Sequence, residues 1–488
     1  MVKNLPNECL SEIFKHIDEN DTKTLFSILQ VNRLWCQNIV SILWENPFKP
    51  QIKSFKILLT LLSYYYNDNK EEPSIKYLKE SNSIYIPKTS STFNYPSFIK
   101  QLELTNILHM ILSLVKKFNL NHSSIIQIIW NMITNNSKIE TLIINTSNSY
   151  RILKPFKPFF KTSATKNCFS ILKRLTLRLK SKDLSILDDL IECINGKVKE
   201  IELEISNNSN LTISNSYVIN LIKSQKNLKK FIYKNLSGNI HIQPIIIELE
   251  NHSHSMKILH LEQRCDLDVD LLSNLKNYYN LQELSLRNFH FEGNHELLSN
   301  IIFSQLKSLS LNWITSRNPA YISESIFNLI QNHAVNLKYL SIKTADIIMK
   351  DTSLCCSNLK SFSCLICDPS DMTFIYSIFK NNPHLTSIDL CITIPIRNSF
   401  LSKLAKEIPK SINKIVIGYS ILGKENLGIF LRDLNCNRLK SFKFNWQPQK
   451  NVNIPEMVKN ISETRGWTLK ECEFALAQYQ HIYILKWE

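Results

Sequence analysis

A short apolar unit recurs along most of this chain and limits the fold more than any other feature. The unit has the form L-x-x-L-x-L, in which another apolar residue sometimes replaces a leucine. The spacing averages about 27 residues, which is typical of stacked repeats that each contribute one strand. Clear copies begin at Leu172, Val198, Leu228, Met256, Leu281, Leu306, Leu337, Leu359, Leu385, Ile412 and Leu439, with a plausible earlier copy at Ile139 and a poorer one, shifted by a residue, at Phe98.

Helical patterns separate these strand units. Apolar residues recur there every three or four positions, as on one face of a helix. A strand followed by a returning helix, repeated at a constant period, predicts an α/β solenoid with parallel strands on its inner face and helices on its outer face. The clearest helical patterns are Ile322/Ile326/Leu329/Ile330, Phe374/Ile375/Ile378/Phe379, Leu401/Leu404/Ile408 and Leu427/Phe430/Leu431/Leu434.

The repeats resemble leucine-rich repeats. In that family the ninth position is often asparagine or cysteine, which bonds the backbone of the turn, and here only Cys367 fits. The resemblance therefore implies a leucine-rich-repeat solenoid whose repeats are degenerate. The tail from Trp467 to Glu488 predicts a final strand, carrying Ile482, Ile484 and Trp487, that covers the open end of the array.

The N-terminal stretch differs in kind from the repeats. Apolar residues from Leu10 to Ile17 predict a short amphipathic helix, with Asn4 or Asn7 as its cap, and two more helices should follow, the first capped by Asp21 or Thr22. Three helices in about 45 residues are near the lower size limit for independent folding, so part of their apolar surface should remain for something else to cover.

The motif L-P-x-E-x-L-x-x-I-F from Leu5 to Phe14, followed by V-N-R-x-W-C from Val31 to Cys36, closely resembles the F-box. This resemblance covers residues 3 to 48. It implies docking on a Skp-family adaptor, and through that adaptor on a cullin-RING ubiquitin ligase. The adaptor-binding residues that it implies are Leu5, Pro6, Glu8, Leu10, Ile13, Phe14, Val31 and Trp35.

The sequence predicts three regions. Residues 1–48 form the F-box, residues 49–97 a helical and irregular linker, and residues 98–488 the solenoid with its C-terminal cap. Within the linker, Ser54 to Tyr66 is an apolar helix that we expect to pack against the F-box, and Ile84 to Pro96 is an irregular connection.

Charge and cysteine content raise two alternatives, which are nucleic-acid binding and a zinc site. The formal net charge is +16, but the lysines are spread along the chain without a basic block, so nucleic-acid binding is disfavoured. The 12 cysteines include Cys355, Cys356, Cys364 and Cys367, a group that could be tested for zinc. The repeat register places Cys364 at the core-facing sixth position and Cys367 at the ninth, so packing accounts for these two and we expect no metal.

No catalytic constellation is recognisable. With 7 glycines in 488 residues, the chain lacks phosphate-cradling loops, and it contains no G-x-S-x-G motif. Asp188, Asp189 and Glu192 are explained as a solvated helical face, and His252 and His254 as part of a polar loop. We expect a protein that is not an enzyme and that needs no cofactor.

The outward strand positions give the only indication of a target. Lysine fills the second repeat position at 173, 199, 229, 257, 307, 338, 360 and 440. A basic face with aromatic anchors would suit an acidic or phosphorylated protein segment, although lysine at this position is also common filler in such repeats. The predicted target-binding residues are Arg178, Lys234, Arg287 and Lys343 at the seventh position, and Trp313 and Trp446 at the eighth.

The function that the resemblance implies is that of the substrate-recognition subunit of an SCF-type ubiquitin ligase. The alternative is a non-catalytic interaction scaffold whose F-box binds the adaptor outside ubiquitination. No apolar run approaches the length of a membrane span, and residues 1–8 lack the apolar core of a secretory signal. We therefore expect a cytoplasmic or nuclear location and no membrane partner.

Overall fold

A computed structural model describes residues 6–17, 21–49, 55–68, 92–146, 154–194, 196–206, 215–235, 241–294, 296–344, 356–436, 439–446, 454–464, 468–477 and 480–487. The chain forms two compact units, Met1–Ile240 and His241–Glu488. Leu5, Cys355, Trp467, the side chain of Trp446 and most of the predicted irregular connection lie outside the described residues.

The described part of the first unit opens with four helices that precede the short helix leading into its first strand. They are α1 to α4, at Asn7–Lys15, Thr22–Leu29, Arg33–Leu43 and Lys56–Asp68. Helix α4 buries Leu58, Leu61 and Leu62, and the neighbouring Phe55 ring meets the Phe118 ring edge-on at 6.1 Å. The linker helix predicted at Ser54 to Tyr66 is therefore present. Its main contacts among the described residues are with the helices Tyr95–Phe98 and His122–Asn136, and not with the F-box helices as expected.

The rest of the first unit alternates strands and helices. Strands β1 to β5 are Gln101–Glu103, Thr141–Asn145, Arg174–Lys180, Glu200–Ser206 and Lys230–Asn235. Each pairs in parallel with the next. Helices α5 to α11 are Tyr95–Phe98, Leu104–Phe118, His122–Asn136, Lys157–Phe160, Ser163–Cys168, Ile186–Ile194 and Ser216–Lys223, with a 3-10 turn at Ser181–Asp183.

The second unit continues the same alternation. Its strands β6 to β16 are Ile258–Asp268, Glu283–Glu292, Ser308–Asn312, Thr315–Ser316, Tyr339–Lys343, Ser361–Ile366, Ser387–Ile392, Lys414–Leu422, Ser441–Trp446, Leu469–Ala477 and Gln480–Trp487. Its helices α12 to α19 are Gln243–Leu249, Val269–Leu272, Glu296–Ser299, Pro319–His333, Asp371–Asn381, Asn398–Glu407, Lys424–Asp433 and Ile454–Thr464, with 3-10 turns at Glu250–His252 and Ser273–Asn277.

Parallel pairing runs through the second unit in the order β6, β7, β8, β10, β11, β12, β13 and β14, with the short β9 beside β7. The array ends in an antiparallel hairpin, in which β16 pairs with both β14 and β15. The sequence predicted one closing strand here, and the structure has two. Leu485 and Trp487 of β16 are buried.

The repeat motif predicts the strand register correctly. Leu175, Ile201 and Phe231, each at the fourth repeat position, are aligned on β3, β4 and β5 and are almost completely buried. Alternate residues of a strand face opposite sides, so the fourth and sixth positions enter the core while the third, fifth and seventh face outward. Burial of one such side chain contributes about 1.5–3 kcal/mol. The predicted leucine-rich-repeat solenoid with returning helices is confirmed.

The earliest predicted repeat is shifted by a residue, as its weak motif suggested. Gln101 pairs with Thr141, which places Leu102 rather than Gln101 at the fourth position. Ile99 and Leu102 are completely buried. The first repeat of the array therefore contains β1.

Glycine is required at one turn of the first unit. Gly196 has φ +65°, and a Cβ placed there would lie 2.5 Å from the carbonyl oxygen of Ser224. We predict that Gly196→Ala lowers the free energy of unfolding by about 1–3 kcal/mol, because it adds backbone strain and a clash with main chain. A thermal melting curve of the full chain measures the change.

The matched control is Gly428→Ala in helix α18, where the nearest atom to an added Cβ is a guanidinium nitrogen at 4.0 Å. Alanine favours a helix interior over glycine by about 1 kcal/mol, so this variant should melt at a higher temperature. Equal shifts in the two variants would contradict the assignment of strain to Gly196.

Candidate interaction surfaces

The N-terminal module has a small core of its own. Leu10 and Phe14 of α1, Leu25 and Ile28 of α2, and Ile39 of α3 form one buried cluster. The Phe14 and Trp35 rings meet edge-on at 5.3 Å. The three helices are therefore stabilised by mutual packing, as their apolar spacing predicts.

Caps fix where the second and third helices begin. The Asp21 side chain accepts the Thr24 backbone N–H at 3.1 Å and the Thr24 hydroxyl at 2.7 Å, and these bonds lower the pKa of Asp21. Asn32 accepts the Trp35 N–H at 2.9 Å. Asp21 was a predicted cap. Helix α1 instead starts after Pro6 without a side-chain cap, so the cap predicted at Asn7 is wrong, and Asn4 lies outside the described residues.

Several of the predicted adaptor-binding residues are exposed. Pro6 and Glu8 are accessible at the start of α1, while Ile13 is 50% and Val31 54% exposed. Trp35 is half-buried, because one side of its ring packs on Phe14. Exposed branched apolar side chains on such a small module indicate a surface that a partner can cover.

The predicted direct contact of Leu10 and Phe14 with the adaptor does not agree with their burial. Both side chains are only 2% exposed, because they supply the module's own core and not its outer surface. They cannot reach a partner without opening the helices. Sequence reasoning also missed Phe26, which is 58% exposed on α2. The motif does not mark Phe26, and only the packing of α2 shows that it faces solvent.

The module is fastened to the start of the repeats. The backbone carbonyl of Glu45 accepts the N–H groups of Lys100 and Gln101, both at 3.0 Å, so the chain after α3 bonds directly to β1. The Asn106 side chain donates to the carbonyl of Phe48 at 3.0 Å. These bonds fix the module's position on the first unit.

The second candidate surface is the outward face of the strands. At the seventh repeat position of the first unit, Arg178 faces Glu202 at 4.0 Å and Glu204 at 3.7 Å. Lys234 is half-buried on β5 beside Glu204. Glu204 thus lies between two cations, and these basic groups are partly balanced by the carboxylates of the neighbouring strand.

Seventh-position cations of the second unit are also paired. Arg287 lies 3.5 Å from Glu262, and Lys343 lies 2.6 Å from Asp389 across the intervening strand β11. Burial alone would lower the pKa of Lys343, but its hydrogen bond and charge attraction to Asp389 leave it raised. Arg178 and Arg287 remain about half exposed, at 47% and 48%, so the target-binding role of the seventh position stays a prediction, with its charge partly balanced by these carboxylates.

Trp313 meets an aromatic residue that the sequence did not single out. Its ring lies 5.5 Å from that of Tyr419, and both residues have left-handed backbone, with φ +58° and +64°. Such a conformation is uncommon for bulky residues. Tyr419 lies where the register of β13 shifts against β14. Its pKa is raised by burial, while the charges of Lys343 and Arg287 oppose that shift.

The second-position lysines differ from the seventh-position cations. Lys199, Lys229, Lys257, Lys307, Lys338, Lys360 and Lys440 are exposed. Lys173 contacts Glu140 at 2.7 Å, whereas those seven form no ion pair with the described residues. Accessible positive charge therefore lies at the start of the strands.

The cysteine group has an explanation in packing. Cys364 is buried at the sixth repeat position, and burial raises the pKa of its thiol well above the ordinary value. A thiol held protonated in this way is a poor metal ligand. Cys367 is exposed and Cys356 buried.

A different group of possible ligands lies on β6 and β7. Ligand atoms of Asp266, His290 and Glu292 all fall within 4.8 Å of one another, because Asp266 pairs with His290 in the strand register. Glu292 already contacts the Arg317 guanidinium at 2.8 Å, which balances one of the two carboxylates. The sequence does not reveal this group, because Asp266 lies 24 positions before His290 and the two come together only through strand pairing.

Among the described residues, no helix has the length and apolar character needed to cross a membrane.

Residues 2–50 match the family model described as F-box-like. No curated protein is significantly similar to this chain. Similar solved structures include the leucine-rich repeat-containing protein LegL7 from Legionella pneumophila, with 14% identity over 62% of this chain and 95% of that one, and a TM-score of 0.32.

An internalin from Listeria monocytogenes has 13% identity over 80% of this chain and 95% of its own, with a TM-score of 0.30. A leucine-rich-repeat protein from Leptospira interrogans has 14% identity over 68% and 89%, with a TM-score of 0.24. The fold of this chain is defined by its own strands and helices.

The Lys343–Asp389 pair allows a test of the strand face. Only 18% of the Lys343 side chain and 35% of the Asp389 side chain are exposed, so solvent screens the pair in part. We predict that Asp389→Asn lowers the free energy of unfolding by about 1–3 kcal/mol, since it leaves the Lys343 charge without its partner. A double-mutant cycle with Lys343→Met should give a coupling energy of about 1 kcal/mol.

The pH dependence of this effect has a defined sign. The folded-state pKa of Lys343 is raised above 10.5, so the stabilisation is complete below the unfolded pKa and is lost as pH rises through the folded value. The difference in melting temperature between the protein and Asp389→Asn should shrink in that alkaline range. A difference that grows there would contradict the pairing.

Proposed function

We propose that this chain is the substrate-recognition subunit of an SCF-type cullin-RING ubiquitin ligase. Its F-box-like module docks on a Skp-family adaptor, and its strand-and-helix repeats hold a protein target. Ubiquitin transfer belongs to the partner complex, and this chain contributes no catalytic step. The proposal places the protein in the cytoplasm or the nucleus, where the ligase acts.

The observation that carries the proposal is that the module exposes apolar side chains after completing its own core. Ile13 and Val31 remain about half exposed, although five neighbouring apolar residues are buried together and the module is bonded to β1 through Glu45. The described part of the chain's own repeats therefore leaves these two side chains uncovered. Burial of these side chains in an apolar groove of an adaptor would stabilise the complex.

We assign the contact to a smaller set than the motif suggests. Ile13 and Val31 supply its apolar centre, and Pro6, Glu8 and Trp35 lie around them. Leu10 and Phe14 support the contact from inside the module by holding α1 against α3. Leu5 remains a proposed contact whose position lies outside the described residues.

The bonds between module and repeats give the proposal a mechanical basis. A rigid attachment keeps a target on the first unit at a fixed position relative to the adaptor. Proximity of this kind raises the effective concentration of a target lysine at the ubiquitin-carrying partner. A flexible attachment would spread the target over a larger volume and weaken the effect.

Capture of a purified Skp-family adaptor by the full chain tests the proposal. We predict that Ile13→Asp and Val31→Asp each weaken adaptor binding at least about tenfold, because each places an unpaired charge in a covered apolar contact. Binding is measured by calorimetry or surface plasmon resonance, and the melting curve should stay near that of the unmodified protein, since both sites are exposed.

The matched control is Ile247→Asp, because Ile247 is similarly exposed, at 54%, on α12 in the second unit. It should leave adaptor binding unchanged. Equal loss in all three variants would contradict the assigned surface. Adaptor capture without any cullin would favour the scaffold alternative, and tight binding of nucleic acid that falls steeply with salt would favour a nucleic-acid function.

A further inference from the structure

Three second-position lysines form a continuous row in the second unit. The Lys338 N–H donates to the Lys307 carbonyl at 2.8 Å, and the Lys360 N–H donates to the Lys338 carbonyl at 2.7 Å. Parallel strands lie about 4.8 Å apart, so the three side chains leave the backbone at that spacing. We call Lys307, Lys338 and Lys360 the lysine row.

The lysine row is accessible and carries uncompensated charge. All three side chains are exposed, and none pairs with a carboxylate of the described residues. Like charges side by side on neighbouring strands repel one another. A ligand that brings negative charge to the row would therefore relieve repulsion as well as gain attraction.

An aromatic side chain stands beside the row. Tyr339 is 49% exposed, and its strand neighbours at the third repeat position are Ser308 on β8 and Ser361 on β11. Small side chains on both sides leave the Tyr339 ring free of bulky strand neighbours. Ser310 and Ser341, at the fifth repeat position of β8 and β10, are also small polar residues.

Exposed apolar side chains precede two of these strands and the neighbouring strand β7. Tyr279, Ile302 and Val335 are 65%, 66% and 69% exposed, and they lie in the segments that lead into β7, β8 and β10. The Ser304 hydroxyl bonds to the carbonyl of Tyr279, and the Asn358 side chain to that of Val335. These bonds join successive repeats and hold the apolar side chains at one end of the strands.

We propose that the lysine row, with Tyr339, is a docking site for an acidic segment of a partner protein. The three ammonium groups face successive carboxylates, and the exposed apolar side chains contact apolar residues within that segment. The inference rests on the proposed function, because it names the chemical class of the target that the repeats hold.

The chemistry of the row favours distributed carboxylates over a single phosphate. Arginine forks are the preferred partners of a phosphate's paired oxygens, whereas lysine acts as a point charge. The row consists of lysines alone, spread over about 10 Å by the strand spacing. Nucleic acid is disfavoured because the exposed residues next to the row, such as Gln305, Asn336 and Asn358, are uncharged and not basic.

Fluorescence anisotropy with the full chain tests the proposal. The probe is a short labelled peptide of glutamates interrupted by leucines, and its glutamine analogue serves as the neutral comparison. We expect the glutamate peptide to bind and the glutamine peptide not to bind. The combined variant Lys307→Glu, Lys338→Glu, Lys360→Glu should weaken glutamate-peptide binding at least about tenfold.

The matched control reverses lysines at the same repeat position elsewhere. Lys199→Glu, Lys229→Glu, Lys257→Glu makes the same change in net charge, and it should alter binding less than about twofold. Equal weakening in both combined variants would overturn the proposal, because only overall charge would then matter. Both variants are checked for unchanged melting temperature, since the substituted side chains are exposed.

Further titrations distinguish other classes of ligand from the acidic peptide. A phosphoserine peptide, a single-stranded oligonucleotide and phosphatidylserine vesicles are titrated under the same conditions. Tighter binding of any of these than of the glutamate peptide overturns the proposal, as does failure of the glutamate peptide to bind. Adaptor capture should persist in the lysine-row variant, so failure of this inference is distinguishable from failure of the proposed function.

Discussion

The structure depends on one interaction, which is the stacking of buried apolar side chains between neighbouring parallel strands. The fourth- and sixth-position residues of each repeat pack against those of the next, and the backbone ladder holds them in register. No repeat could bury these residues alone. Helices such as α15 and α16 cover the other side with Ile326, Leu329, Ile375 and Ile378. Because every repeat is stabilised through its neighbours, the outward positions are free to differ from repeat to repeat.

That register also decides which charges remain accessible. Seventh-position cations point across the strand face, where Glu202, Glu262 and Asp389 lie within reach and partly neutralise their partners. Second-position lysines lie at the start of the strands, beyond most of those carboxylates. The same residue type is therefore paired at one position and accessible at the other. Charge composition alone cannot distinguish the two cases, since both contribute equally to the formal charge of +16.

The N-terminal module combines a buried core with an exposed apolar surface, although it contains few residues. Its five-residue core uses the inner side of each short helix, so Ile13 and Val31 stay at the surface. The carbonyl of Glu45 then ties the module to β1, which also orders the beginning of the repeat array. The module thus exposes an apolar surface on one side and is hydrogen-bonded to the first strand of the repeats on the other. Two of the hydrogen bonds that fix it join backbone groups, and a third comes from the Asn106 side chain.

Local apolar spacing in the sequence is enough to predict the strand register, the helices between strands and the position of the F-box-like module. The motif at Leu10 and the copies beginning at Leu172 are readable without any knowledge of contacts. The folded chain is needed to show that Leu10 and Phe14 face inward, that Phe26 faces solvent, that Arg287 and Lys343 form ion pairs, and that Trp313 contacts Tyr419. Those outcomes depend on residues distant in sequence that share a strand edge or a helix interface. Local periodicity says which side of an element is apolar, but it does not say what covers that side.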